Sequence, residues 1–208
     1  DSLGERSILI TLPKKADGML KNAMMEYISE TLGGRYAGNL NDVKALMQFY
    51  LDEKDQDFHD NYTEMDSLLR PQMEYISDMK VAPLAETDTY VTLGCTGFEY
   101  WGGAHGSNLF LGQTFRKSDG RRIGWEVIDQ NLTDILRAGL KQYFECQTDE
   151  ELLSNLIDID NIHMIPHPQC PPLFKEDGIM FVYQNYEIAP YAAGQPSLMV
   201  KLLRRLTA

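Results

Sequence analysis

The sequence predicts an α+β fold in which an antiparallel sheet packs against a long amphipathic helix, with further helices in the C-terminal half. Three observations support this prediction. An apolar stripe at helical spacing runs through residues 41–70, the hydrophobic period changes to two after Pro71, and strand-like segments then adjoin in hairpin-like order. This order favours antiparallel pairing, because a parallel sheet needs strands that alternate with helices.

The N-terminal elements are a short strand at residues 7–12, a helix from about Asp17 to the Gly33-Gly34 pair, and the long helix. The long helix is the clearest of them, with charged residues on the face opposite its apolar stripe. A stripe of this composition is typical of core packing against a sheet, and its members are Val43, Met47, Tyr50, Leu51, Phe58, Tyr62, Met65 and Leu69.

The remaining elements are strands followed by helices and a final pair of strands. Strands are predicted at residues 73–81, 90–100 and 109–115, with a bulge at Gly97 where the alternation shifts. Helices follow at 132–144 and, after the capping box of Thr148 and Glu151, at 149–156. An irregular segment with four prolines spans 163–172, and the last strands are predicted at 179–183 and 198–202.

The charge of the chain limits its partners. Its 208 residues contain 31 acidic and 19 basic side chains, a net charge of −12. This charge repels phosphate backbones and anionic lipids, so nucleic acid is excluded as a partner and a basic partner is favoured. Acidity that only keeps the protein in solution is the alternative explanation. No apolar run approaches the ~20 residues that a membrane span requires.

The three cysteines and the start of the chain give information about the cellular compartment of the protein. We expect Cys95 to be a buried free thiol, since it shares a strand face with Val91 and Leu93. Cys146 and Cys170 flank a polar segment and could either pair in an oxidising compartment or stay free. The chain begins at Asp1 without signal-peptide features, as expected of a mature chain from which an export or anchoring segment has been removed.

Sequence signatures of catalysis are absent. We find no phosphate loop, dinucleotide fingerprint, nucleophile elbow or His-Glu-x-x-His, and therefore predict no enzyme activity and no cofactor. His163, His167 and Cys170 form the best metal candidate, but the prolines among them break the regular spacing of a zinc site, so no metal is predicted. An uncharacterised hydrolase stays open, because scattered carboxylates leave no sequence signature.

Two loop segments carry the candidate binding residues. In the first, Trp101, Gly102, Gly103, Ala104, His105 and Gly106 follow a strand and combine aromatic faces with glycines. The second runs from Asn185 to Gly194 and contains Tyr186, Glu187, Pro190 and Tyr191. Each segment is predicted either to bind a ligand or to pack as a turn in which its polar groups are satisfied.

The two segments resemble a known family. The Tyr-x-Gly-Gly-Ala-His-Gly strand end and the Tyr-Glu-Ile-Ala-Pro-Tyr-Ala-Ala-Gly loop are similar to the extracytoplasmic domain of RsiV-type anti-sigma factors, a unit also found beside peptidoglycan deacetylase domains. The resemblance covers residues 72–208, and residues 1–71 look like the companion region that precedes this unit, the two packing together. Trp101 departs from the family pattern, which usually has a small polar residue there.

The resemblance implies a fold, a compartment and a class of function. It implies an α+β domain outside the cytoplasm, either periplasmic or at the cell surface, without catalysis of its own. A lipid anchor through a segment before Asp1 is one way in which such a domain would be attached. Sensor members of the family bind lysozyme, a strongly basic protein. We therefore expect a domain that binds an envelope protein, lysozyme-like or otherwise basic. The alternative is an accessory domain for peptidoglycan or another glycan, with Trp101 and the tyrosines as stacking platforms.

Overall fold

The computed structural model describes residues 4–16, 18–68, 70, 74–128 and 132–201. The chain divides into two compact units. The first consists of Asp1–Pro83, Gly94–Leu111 and Ser118–Arg121, and the second of Leu84–Leu93, Gly112–Lys117 and Arg122–Ala208. The predicted boundary at residue 72 rests on the family resemblance and stays a prediction.

The secondary structure is mixed, as predicted. The helices are α1 (Gly18–Leu32), α2 (Val43–Glu64), α3 (Thr133–Tyr143) and α4 (Asp149–Asn155). The strands are β1 (Gly4–Ile10), β2 (Tyr75–Glu86), β3 (Tyr90–Tyr100), β4 (Ser107–Arg116), β5 (Arg122–Ile123), β6 (Leu173–Lys175), β7 (Gly178–Val182) and β8 (Ser197–Lys201).

The strands form two sheets, which are mostly antiparallel and confirm the α+β prediction. The larger sheet has the order β1-β2-β3-β4-β5, and the smaller has the order β6-β7-β8. Within the larger sheet β1 pairs in parallel with β2, with Gly4 opposite Tyr75 and Ile10 opposite Val81. A parallel pair needs a long connection, and α1 and α2 provide it here.

In the first unit, α2 packs against β1 and buries Leu46, Tyr50 and Phe58. Met47 and Tyr62 of the predicted stripe are half-buried. The helix ends at Glu64, earlier than predicted, and the side chain of Arg70 donates to the carbonyl groups of Thr63 and Met65 at 2.6 and 3.1 Å. These bonds satisfy carbonyl groups left unpaired at a helix end. Leu69, Pro71 and Met73 lie outside the described residues.

In the second unit, α3 packs against β8, and the two meet closely because Gly139 lacks a Cβ that would contact Leu198 at 2.7 Å. The capping box of Thr148 and Glu151 is present, as predicted. The buried core of this unit brings together α3, α4 and the smaller sheet, through Leu132, Leu136, Leu140, Leu152, Leu156, Ile162, Ile165, Ile179, Phe181, Tyr183, Ile188 and Leu198.

The threonine pair Thr92 and Thr114 connects β3 and β4 with β6 inside the second unit. Their hydroxyl oxygens lie 2.9 Å apart, Thr92 Oγ1 donates to the carbonyl of Phe174 at 2.6 Å, and the amide of Phe174 donates to Thr114 Oγ1 at 3.1 Å. Both backbone groups of Phe174 are therefore satisfied by side chains. The strand β6 was not predicted from the sequence.

The cysteines are all free thiols. Cys95 is fully buried, which confirms the prediction for this residue. Burial raises the pKa of the Cys95 thiol, and a hydrogen bond with the side chain of Thr31 lowers it by a smaller amount. Cys146 is half-buried and Cys170 is buried, and no disulfide joins them. No helix among the described residues has the length and apolar character needed to cross a bilayer.

Candidate functional site

The first predicted loop, residues 101–106, connects β3 to β4 in the first unit. Gly102 and Gly103 have φ angles of +82° and +95°, a region that favours glycine. The hydroxyl of Tyr100 donates to the carbonyl of Gly103 at 3.0 Å. The glycines therefore serve the turn itself, which is closed by a hydrogen bond from the end of its own strand.

Trp101 and His105 differ in how the first unit holds them. The ring centroid of Trp101 lies 4.1 Å from that of Tyr75, and the indole packs against the aromatic cluster of Phe58 and Tyr75. Trp101 is half-buried as a result. His105 is exposed, and its Nδ1 lies 2.9 Å from the carbonyl oxygen of Gly106. Packing thus occupies one face of the indole, whereas the imidazole lies at the surface.

The second predicted loop is organised by Glu187 in the second unit. One carboxylate oxygen accepts the backbone amide of Gln169 at 2.7 Å, and the other accepts the amide of Gln184 at 2.7 Å. Hydrogen bonds to an ionised acceptor are about twice as strong as neutral ones. Glu187 therefore fixes the loop to a distant segment of its own unit.

The rest of this loop is also held in place, by buried side chains and by hydrogen bonds. Ile188 and Ala189 are buried, and the carbonyl of Ile188 accepts the amide of Ile157 at 2.9 Å. Pro190 then begins a single 3₁₀ turn over Tyr191–Ala193, and the hydroxyl of Tyr143 donates to the carbonyl of Ala193 at 2.7 Å. The loop is thus attached at several points and has little freedom to rearrange.

This fixed loop presents two tyrosines. The rings of Tyr186 and Tyr191 lie 5.6 Å apart between centroids, tilted by 35°. The side chain of Tyr186 is 58% exposed. Its backbone has a φ angle of +64°, which non-glycine residues rarely adopt. Tyr191 is half-buried, and Pro190 beside it is exposed. The three side chains form an aromatic and proline surface, which we call the tyrosine surface.

An open groove of about 570 Å³ lies beside the same loop. Sequence reasoning missed this feature, because residues 143, 144 and 155 were predicted only as parts of the helices at 132–144 and 149–156. The adjacent aromatic residues Tyr143 and Phe144 at the end of the first of these helices were the available signal. The groove is lined by Tyr143, Phe144, Glu145, Asn155, Pro190, Ala192 and Ala193.

Two buried groups near Glu187 have altered acidity. Burial raises the pKa of Cys170 to about 12, against a hydrogen bond from the backbone of Gly112 that lowers it. Burial also raises the pKa of Tyr183, whose hydroxyl donates to the carbonyl of Pro166 at 2.7 Å. The charge of Glu187 acts in the same direction on both. Both groups are therefore protonated structural groups at neutral pH.

The predicted site residues are divided between the units. Trp101, Gly102, Gly103 and His105 belong to the first unit, and Tyr186, Glu187, Pro190 and Tyr191 belong to the second. The expectation that the two loops lie side by side stays a prediction. Within the described part of the chain, no three His, Cys, Asp or Glu side chains gather in a group that could hold a metal ion.

Comparisons with known proteins place part of this chain beside a family without an assigned function. Residues 129–202 match the family described as protein of unknown function (DUF3298). This range includes the second predicted loop and excludes the first. No curated protein matches the chain.

Two solved structures match this chain over part of its length. A DUF3298 family member from Bacteroides fragilis NCTC 9343 has a TM-score of 0.73 and 19% identity, over 93% of this chain and 81% of the other. A DUF3298 family protein from Pseudomonas aeruginosa PAO1 has a TM-score of 0.48 and 16% identity, over 64% of this chain and 62% of the other. At such identities, the likeness to the Bacteroides protein concerns the fold alone.

Proposed function

We propose that this protein is a non-catalytic binding or sensing domain of the cell envelope that recognises a basic protein partner through the tyrosine surface. The observation that carries the proposal is the pair of Tyr186 and Tyr191 on a loop that its own unit holds in place. Tyrosine is enriched among the residues that dominate binding energy at interfaces. A preorganised loop also loses little conformational entropy on binding.

The charge of the chain supports a basic partner. At a net charge of −12, the protein attracts cationic proteins over long range and accelerates their encounter. The resemblance to RsiV-type domains, whose sensor members bind lysozyme, agrees with this charge. We therefore propose a lysozyme-like or other basic envelope protein as the partner. The same resemblance supports a location outside the cytoplasm, with a lipid anchor as one possible attachment.

A glycan ligand is the second candidate, and the exposure of Tyr186 favours it. Sugar rings stack on exposed aromatic faces, and the 58% exposed ring of Tyr186 offers such a face beside Tyr191. In this alternative the domain is an accessory module for peptidoglycan. Trp101 is less suited to this role than the sequence suggested, because one face of its indole packs on Tyr75.

The test compares the two ligand classes on the same variants. Binding to immobilised lysozyme is measured at low and high salt, and binding to insoluble peptidoglycan is measured by sedimentation. Tyr186→Ala and Tyr191→Ala are compared with Met164→Ala, a change at a 73% exposed apolar residue of the same unit. A basic protein partner requires salt-sensitive lysozyme binding that both tyrosine variants weaken and the methionine variant leaves unchanged.

The outcomes separate the candidates. Sedimentation with peptidoglycan that depends on the tyrosines, without lysozyme binding, would establish the glycan alternative. If lysozyme binds but neither tyrosine variant changes the affinity, the tyrosine surface is not the binding site. If neither ligand binds the wild-type protein, the lysozyme-like partner and the peptidoglycan alternative are both wrong.

A further inference from the structure

The first unit contains a pocket of about 360 Å³ that none of the sequence motifs suggested. Its volume lies within the range of roughly 300–1,000 Å³ that is typical of small-molecule sites. Residues from β1, α1, α2, β2, β3 and β4 line it, so its walls are mostly elements of regular structure. Its apolar lining consists of Ile8, Leu32, Leu51, Met79, Phe98 and Leu109.

Two polar residues in the wall, Tyr50 and Thr31, have hydroxyl groups that form hydrogen bonds with the backbone. The hydroxyl of Tyr50 accepts the backbone amides of Arg35 and Tyr36 at 3.0 and 3.1 Å. The hydroxyl of Thr31 donates to the carbonyl of Ile28 at 2.8 Å. Ser7, Ser77, Ser107 and Asn108 are the other uncharged polar residues of the wall, and six apolar side chains line the rest of it, so the body of the pocket is suited to a mainly apolar molecule.

One part of the wall contains charged side chains, and each of them forms an ion pair with a side chain of opposite charge. Lys54 on α2 forms an ion pair and hydrogen bond with Glu99 on β3, and Arg6 on β1 pairs with Asp55. The side chains of Lys54 and Glu99 are 33% and 37% exposed. Burial lowers the pKa of Lys54, but the hydrogen bond and charge of Glu99 outweigh it and raise the pKa above its ordinary value. Lys54 is therefore a charged ammonium at neutral pH, and its partner is Glu99.

The balance of this pair determines which ligand fits. A charged ligand group would either break the Lys54–Glu99 pair or enter a largely apolar pocket without compensation, and both are costly. An uncharged hydroxyl, amide or amine N–H can hydrogen-bond to a paired ammonium or carboxylate without disturbing it. We infer that this pocket binds a small uncharged amphiphile, with its apolar body between α2 and the strands and one hydrogen-bonding group toward Lys54 and Glu99.

A matched pair of fluorescent probes tests both parts of the inference. N-phenyl-1-naphthylamine is an apolar two-part aromatic molecule with a single N–H, and 8-anilinonaphthalene-1-sulfonate is the same framework with a fixed negative charge. We expect the neutral probe to bind saturably at one site per chain. The sulfonate should bind at least about tenfold more weakly, since its charge has no partner in the pocket.

Two substitutions fill the pocket, and a third substitution outside the pocket serves as the control. Leu51→Trp enlarges the wall from α2, and Leu109→Trp enlarges it from β4, where the native side chain is 37% exposed and tolerates change more easily. Leu9→Trp makes the same change at a 53% exposed residue of the same unit that does not line the pocket. Both pocket variants should weaken binding of the neutral probe by at least about tenfold.

Circular dichroism and the melting temperature are recorded for each variant, to show that it is folded. Two outcomes would then overturn parts of the inference. The absence of saturable binding, or equal affinity in folded Leu109→Trp and Leu9→Trp, overturns the pocket as a binding site. Equal or tighter binding of the sulfonate overturns the uncharged class of ligand. If Leu51→Trp does not fold, the comparison of Leu109→Trp with Leu9→Trp decides the question alone.

Discussion

Glu187 and Gln169 are 18 residues apart in the sequence, and a carboxylate oxygen of Glu187 accepts the backbone amide of Gln169 at 2.7 Å. The second oxygen binds the amide of Gln184 at the same distance. A side chain that the sequence offered as a binding residue is thus fully engaged within its own unit. Under the proposed binding function, the neighbouring rings of Tyr186 and Tyr191, and not this carboxylate, are what the loop would offer to a partner.

The first prediction concerns this carboxylate. Glu187→Gln should lower the free energy of unfolding by about 1–3 kcal/mol, because the amide nitrogen cannot accept one of the two backbone N–H groups and the charge is lost. Urea denaturation of wild type and variant measures the difference. Glu176→Gln, at an exposed residue of the same unit, is the matched control. Equal stability of the two variants would contradict the assigned role of Glu187.

A second prediction concerns alkaline pH. The Cys170 thiol titrates near 9.0 in an unfolded chain and at about 12 in the fold, where burial raises its pKa. Between these values the unfolded chain has lost a proton that the folded chain retains, so ionisation favours unfolding. This contribution to stability is complete below about pH 9 and is lost as the pH rises toward 12. The slope for one group is about 1.4 kcal/mol per pH unit.

Urea denaturation at about pH 8 and about pH 10.5 measures this loss, which should reach about 2 kcal/mol for Cys170 alone. Cys170→Ala is expected to be less stable than wild type at both pH values. Its free energy of unfolding should, however, fall less than that of wild type between the lower and the higher pH. Cys146→Ala, at the half-buried thiol, should retain the wild-type loss. A wild-type pH dependence in Cys170→Ala would show that this thiol does not carry the effect.

The third prediction concerns thiol accessibility. Cys95 and Cys170 are 0% and 3% exposed, and burial raises the pKa of each, so neither presents a reactive thiolate in the native protein. A thiol reagent should label Cys146 in the native state and all three cysteines after unfolding. Cys146→Ala should abolish native labelling. Rapid native labelling in that variant would contradict the burial of the other two.

The fold was largely predictable because its elements have strong local signals. The change of hydrophobic period near Pro71 predicted a helix followed by strands, and Thr148 with Glu151 marked the start of α4. The parallel pairing of β1 with β2 was not predictable in this way, since pairing partners are chosen by contacts between distant segments. The three residues of β6 follow several prolines and have too short a pattern to read.

The candidate site was less predictable, for a different physical reason. Sequence reasoning identified Tyr186 and Tyr191 as aromatic residues in an unusual loop, but the engagement of Glu187 depends on the amide of Gln169, which only the fold brings near. The pocket in the first unit is lined from six elements. Its Lys54 and Glu99 are 45 residues apart and ordinary in composition. No local pattern could associate them.

The last prediction separates packing from binding at the two aromatic residues that the sequence proposed as anchors. Trp101 packs on Tyr75 beside Phe58, so Trp101→Ala should lower the free energy of unfolding by about 2 kcal/mol through lost aromatic burial. Trp101→Phe should recover part of this loss. Tyr191 is half-buried on a loop whose backbone is held by Glu187 and Tyr143.

Tyr191→Ala should therefore leave the melting temperature close to wild type and weaken binding of the partner by about 2 kcal/mol or more, as at an interface hot spot. Thermal unfolding and partner titration, performed on the same preparations, give both quantities for each variant. Tyr191→Phe is the control, because it keeps the ring and removes only the hydroxyl. If Trp101→Ala and Tyr191→Ala both reduce stability while binding is unchanged, the two loops are architectural, and the tyrosine surface is not where the protein meets its partner.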